Sequence, residues 1–141
     1  MNRENLQKLA DYLRGPEIAM RFDMGSYCRN SAEKQDIHDG DPLNPAEHSC
    51  GTVGCALGHG PASGVDPDKS ETWDRYSDRA FGLEPWGRDW EWCFGPIWAE
   101  TDNTPKGAAA RIQYLLDYGL PRNWMDQMRG DEPLCYRAVT P

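Results

Sequence analysis

No stretch of this sequence approaches the roughly 20 apolar residues that a membrane-spanning helix needs. Mean hydropathy is -0.81, and a helical span is excluded from the reading. Positive charge is in short supply: 15 Lys and Arg stand against 23 Asp and Glu, for a net charge of -8. Both halves of the chain share the acidic excess. Such a surface repels free nucleic acid and anionic lipid, so neither direct nucleic-acid binding nor membrane binding is expected. The five cysteines are an odd number and lack the spacing of a disulfide scaffold. Reduced thiols and a cytoplasmic location are therefore expected. The segment Met1–Asn5 is charged and runs into an amphipathic pattern, unlike a secretory signal. No phosphate-binding loop, hydrolase elbow, kinase signature or dinucleotide fingerprint occurs. There is no internal repeat.

Aromatic residues offset the thin aliphatic content. Six tryptophans and six tyrosines accompany three phenylalanines, and such rings dominate buried area in small cores. A chain of 141 residues suffices for one domain with its own core. Eleven prolines and fourteen glycines predict long loops. The pattern reads as mainly α: a single compact domain over 1–141, of five or six short helices joined by long loops, with room for a minor β element.

The elements follow from periodicity and caps. Asn2 caps a first helix carrying Leu6, Leu9, Ala10 and Leu13, which Gly15-Pro16 ends. Residues 29–47 and 61–69 read as loops, the first holding an exposed His38. Ser70 opens a helix with Trp73, Tyr76, Ala80 and Phe81 on one side, ended by Gly82. Pro85 to Phe94 reads as a short helix that Gly87 weakens. Thr104-Pro105 is a cap followed by proline at the first helical position. Ala108, Ile112, Leu115 and Leu116 follow at helical spacing, and Gly119 stops the helix. Ile112 and Leu115 should be buried. One more turn is expected around Trp124 and Met128, and 129–141 is an irregular tail.

The densest chemistry lies in His48-Ser49-Cys50-Gly51-Thr52-Val53-Gly54-Cys55-Ala56-Leu57-Gly58-His59-Gly60. Thr52 reads as an N-cap with Val53 to Gly60 helical. Three readings stand. His48, Cys50, Cys55 and His59 are the ligand types of tetrahedral zinc, though not at the usual spacing. A thiol near a helix N-terminus, with His59 or His48 beside it, could serve as a nucleophile. Small buried cysteines could simply fill a close packing. The surplus of tryptophan suggests a stacking pocket or an interface anchor as well as core filling.

Phe22-Asp23-Met24, Cys50-Gly-Thr-Val-Gly-Cys55-Ala-Leu-Gly-His59, Ala80-Phe-Gly-Leu83 and Thr104-Pro105 with Ala109-Ala110-Arg111-Ile112 together resemble a family of small proteins of bacteriophages, prophages and bacterial genomes. The resemblance spans roughly residues 6–124. It implies a phage-type accessory protein in the cytoplasm of a bacterial host, and it brings no catalytic residue with it. The expected function is thus binding without catalysis. The target would be a host protein, inhibited in a counter-defence role, or a small anionic, nucleotide-like ligand to be sequestered. Thr52, His48, His59, Trp86 and Trp90 are the candidate binding residues, with no cofactor and no metal. The alternative is a zinc-dependent or cysteine-dependent enzyme centred on Cys50, Cys55 and His59.

Overall fold

Asn2 accepts a hydrogen bond from the Asn5 backbone N–H at 3.1 Å and so starts helix α1, Arg3–Leu13. In the computed structural model, α1 is followed by α2 (Trp73–Phe81), α3 (Arg88–Phe94), α4 (Pro105–Tyr118) and α5 (Trp124–Met128). The structure describes residues 1–16, 18, 22–25, 29–30, 35–36, 52–53 and 55–137; for 29–30, 35–36 and 52–53 only the backbone is described. The protein is mainly helical, as its periodicity predicts. The minor β element is also present: β1 (Arg29–Asn30) pairs antiparallel with β2 (Gln35–Asp36) on one side and β3 (Thr52–Val53) on the other.

Helix α4 forms where its local signals place it. Thr104 Oγ1 accepts from the Gly107 N–H at 3.0 Å, Pro105 opens the first turn, and Gly119 leaves it with φ +83°. Its apolar stripe packs on α1 and α3. Ile112 and Leu115 are buried, as expected. Arg3 donates to the Leu116 carbonyl and Gln7 to Gln113 Oε1, tying α1 alongside α4. Trp92 of α3 donates its indole N–H to the Arg111 carbonyl at 2.9 Å.

Two expected helices are corrected. The segment from Pro85 is not helical until Arg88, because the Gly87 N–H bonds back to the Glu84 carbonyl at 2.9 Å and closes a turn. The expected helix from Val53 to Gly60 is absent. Thr52 and Val53 belong to β3, and only a 3-10 turn, Leu57–His59, follows, with a second at Pro61–Ser63. Glycine costs a helix about 1 kcal/mol relative to alanine, and Gly58, Gly60 and the following Pro61 leave too little to sustain α-helix.

The tail is irregular but anchored, through a 3-10 turn at Cys135–Arg137. Tyr136 is buried and accepts from Arg111 Nη1 at 3.0 Å while donating to Asp102 Oδ2 at 2.6 Å. Arg111 is fully buried beneath the Trp98 ring, its guanidinium carbon 4.1 Å from the ring centroid. Thr104 also donates to Asp102 Oδ1, at 2.7 Å. Gly107 is required here: a Cβ at that position would collide with the Asp102 carboxylate.

Candidate functional site

Gly82 ends α2 in the left-handed conformation, φ +66°, and Leu83 turns back into the core. Glu84-Pro85-Trp86-Gly87 then reverses the chain into α3. Proline at the second position and a positive φ at the third are the features of a type II turn, and the third position ordinarily takes glycine or asparagine. Trp86 occupies it with φ +63°. A left-handed backbone costs a non-glycine residue about 1–2 kcal/mol, and such strain concentrates at functional positions. The side chain held there is 48% exposed, and its ring lies against Trp90, centroids 4.5 Å apart. Trp90 itself is buried and edge-on to Phe94, so the platform beneath Trp86 is fixed by the core.

Two open grooves lie along the start of α3, and the first also touches this turn. One, of about 300 Å³, is lined by Leu83, Glu84, Arg88, Asp89 and Trp90, among others. The second, of about 410 Å³, is lined by Arg88, Asp89, Leu120, Pro121, Arg122 and Trp124. Arg88 and Asp89 belong to both, so the grooves adjoin. The loop that follows α4 supplies the far wall, which Gly119 makes possible by ending that helix. The second groove is lined by two arginines and one aspartate, a local positive excess on a chain of net charge -8. Two planar forks next to aromatic walls can hold an aromatic anion by stacking and by bidentate hydrogen bonds.

The cysteine-histidine segment is built differently. Cys55 is 1% exposed, and its sulfur accepts from the Gly58 N–H at 3.5 Å. His59 is buried with its ring stacked on Phe22, centroids 6.0 Å and planes 11° apart, and tilted against Tyr12 on the other side. A Cβ on Gly60 would strike Tyr76, whose hydroxyl donates to the Val65 carbonyl. These residues fill core space between α1 and α2. Thr52 contributes backbone to β3. His48 and Cys50, along with His38, lie outside the described residues. Among the described residues, no three His, Cys, Asp or Glu side chains are grouped to hold a metal ion. Burial pushes the Cys93 thiol well above its ordinary pKa, and that residue is fully enclosed by α3 and α4.

Three of the five candidate binding residues, Trp86, Trp90 and His59, have described side chains. Trp90 lines the first groove and carries the Trp86 ring on it, whereas His59 sits between Phe22 and Tyr12 and lines neither groove. Sequence reasoning missed Glu84, Arg88, Asp89, Arg122 and Trp124 as groove residues. The available signal was the tetrapeptide Glu84-Pro85-Trp86-Gly87, a turn pattern with its large side chain at the glycine position.

No family model matches the chain, and no curated protein or solved structure matches it either. The class defined by fold and site is a small, mainly α-helical protein with an aromatic, arginine-bearing surface groove. Among the described residues no helix is long and apolar enough to cross a membrane.

Proposed function

We propose that this protein acts by binding, as a sequestering protein for a small nucleotide-like anion held in the grooves around Trp86. One observation carries the reading: a half-exposed tryptophan occupies a left-handed turn position that the backbone conformation alone would give to glycine. We read the residue as kept for its side chain, whose half-exposed ring rests on Trp90, a residue that lines the first groove together with Arg88. Stacking of a base on an aromatic side chain contributes about 1–3 kcal/mol. Arg88 and Arg122 would take the phosphate as bidentate donors. The overall negative charge of the chain is no obstacle, since screening over about 8–10 Å leaves the nearest side chains in control.

This reading fits the phage-type accessory role implied by the motif resemblance, with sequestration as the activity. Calorimetric titration with nucleoside monophosphates tests it. Binding should weaken about ten- to hundredfold in Trp86→Ala, the equivalent of roughly 1.4–2.8 kcal/mol. Arg122→Ala should weaken it as well, with the circular dichroism melt of both variants still cooperative. Unchanged affinity in Trp86→Ala would overturn the assignment.

A further inference from the structure

We infer that the preferred ligand is a nucleoside monophosphate with a guanine-type base, an inference that rests on the Trp86 groove being a nucleotide site. The two adjoining grooves differ in chemistry. Arg88 and Asp89 line both; Glu84 lines only the first, together with Trp90, on which the Trp86 ring rests. Arg122 lines only the second. A ligand that spans them meets an added carboxylate, Glu84, at the end near Trp90 and an added guanidinium, Arg122, at the other, which suits hydrogen-bond donors at its aromatic end and negative charge at the far end.

An ionised carboxylate is an acceptor only, with two oxygens side by side. Guanine offers a matching pair of donors, its ring N1–H and its exocyclic amino group. Adenine turns an unprotonated ring nitrogen to the same position, and that lone pair would face the carboxylate. Glu84 lines only the first groove and Arg122 only the second, and Glu84 is the residue assigned to the base. Its placement follows from the turn: Glu84 is the first residue of the reversal whose third residue is Trp86, so ring and carboxylate are set by one hydrogen-bonded unit. At the other end, two arginines suit one phosphate. Each further phosphate would add negative charge without another cation among the lining residues.

Titration calorimetry at neutral pH, with GMP, AMP, guanosine and inorganic phosphate as probes, tests the assignment. GMP should bind about tenfold tighter than AMP and than guanosine. Glu84→Gln should bring GMP and AMP level; Glu84 is exposed, so the substitution leaves the fold in place. Equal affinity for GMP and AMP in the unaltered protein, or a guanine preference that survives in Glu84→Gln, would overturn the base assignment and leave the groove intact as a nucleotide site. Absence of binding by all four probes would overturn both. Binding that is unaffected by Trp86→Ala would place the nucleotide elsewhere.

Discussion

Trp86 rests its ring on Trp90 with centroids 4.5 Å apart and planes tilted by 42°, and it does so from a backbone of φ +63°. The two facts pull in opposite directions. The ring contact stabilises the turn, and the left-handed backbone destabilises it. Comparing two truncations separates them, because neither alanine nor glycine keeps the ring. Trp86→Gly should be more stable than Trp86→Ala by about 1 kcal/mol, since only glycine adopts this backbone freely. Paired urea melts measure the difference. Equal stability would mean that the turn is not strained.

The buried Asp102–Arg111–Tyr136 cluster gives a second expectation. Arg111 Nη1 lies 3.6 Å from Asp102 Oδ2, with both side chains almost wholly enclosed. Removing one partner strands the other as a buried charge, at a cost of about 3–5 kcal/mol. Asp102→Ala should fall in that range. The double variant Asp102→Asn with Arg111→Met should be less damaged than the sum of its single changes, because the stranded charge is gone. Strict additivity in chemical denaturation would contradict the pairing.

Acid stability follows from the same cluster. Burial pushes the Asp102 carboxyl up, but hydrogen bonds from Tyr136 and Thr104 and the charge of Arg111 outweigh it, and its pKa is lowered from the ordinary value. The Glu71 carboxyl is lowered too, chiefly by its hydrogen bonds from Arg79. A carboxylate depressed in the folded state stabilises fully above its unfolded pKa, near 4. That stabilisation is lost as pH falls from there through the folded value. Melting temperature should therefore hold level down to about pH 5 and then fall. Asp102→Asn should flatten the acid limb. A melting temperature that rises on acidification below pH 4 would contradict the assignment.

Helix α4 supplies a packing test. Leu115 is 3% exposed, and its replacement by alanine should cost about 2–5 kcal/mol. An unchanged melting temperature would mean that the α1–α4 seam is not the centre of the core.

The helices were legible where a cap, a period and a stop coincide, as at Asn2 with Leu6 and Leu9, or at Thr104-Pro105 with Ile112 and Gly119. Several described residues of the blocks that suggested chemistry are packed in the core. Phe22 stacks on His59, Met24 donates its backbone N–H to Asn103 Oδ1 at 2.6 Å, and Arg111 lies under Trp98. Spacing along the chain cannot separate a histidine that seals a core from one that meets a ligand, since both want a fixed ring. The groove was only half legible. Trp86 and Trp90 stand four residues apart, but Arg122 and Trp124 reach the site from beyond α4, and no local pattern announces that approach. The start of α3 was misjudged for a related reason. Aromatic periodicity carried the helix back to Pro85, whereas the turn bond from Gly87 to Glu84 fixes its start at Arg88.

The indole N–H resonances in a nitrogen-15 spectrum, recorded as GMP is added, test the central claim most directly. Six tryptophans give one probe each, assigned by single substitutions. The Trp86 signal should move progressively to saturation, with Trp124 following, while the enclosed Trp73 and Trp98 stay in place. A titration in which Trp86 stays still, whether or not other signals move, would contradict the account.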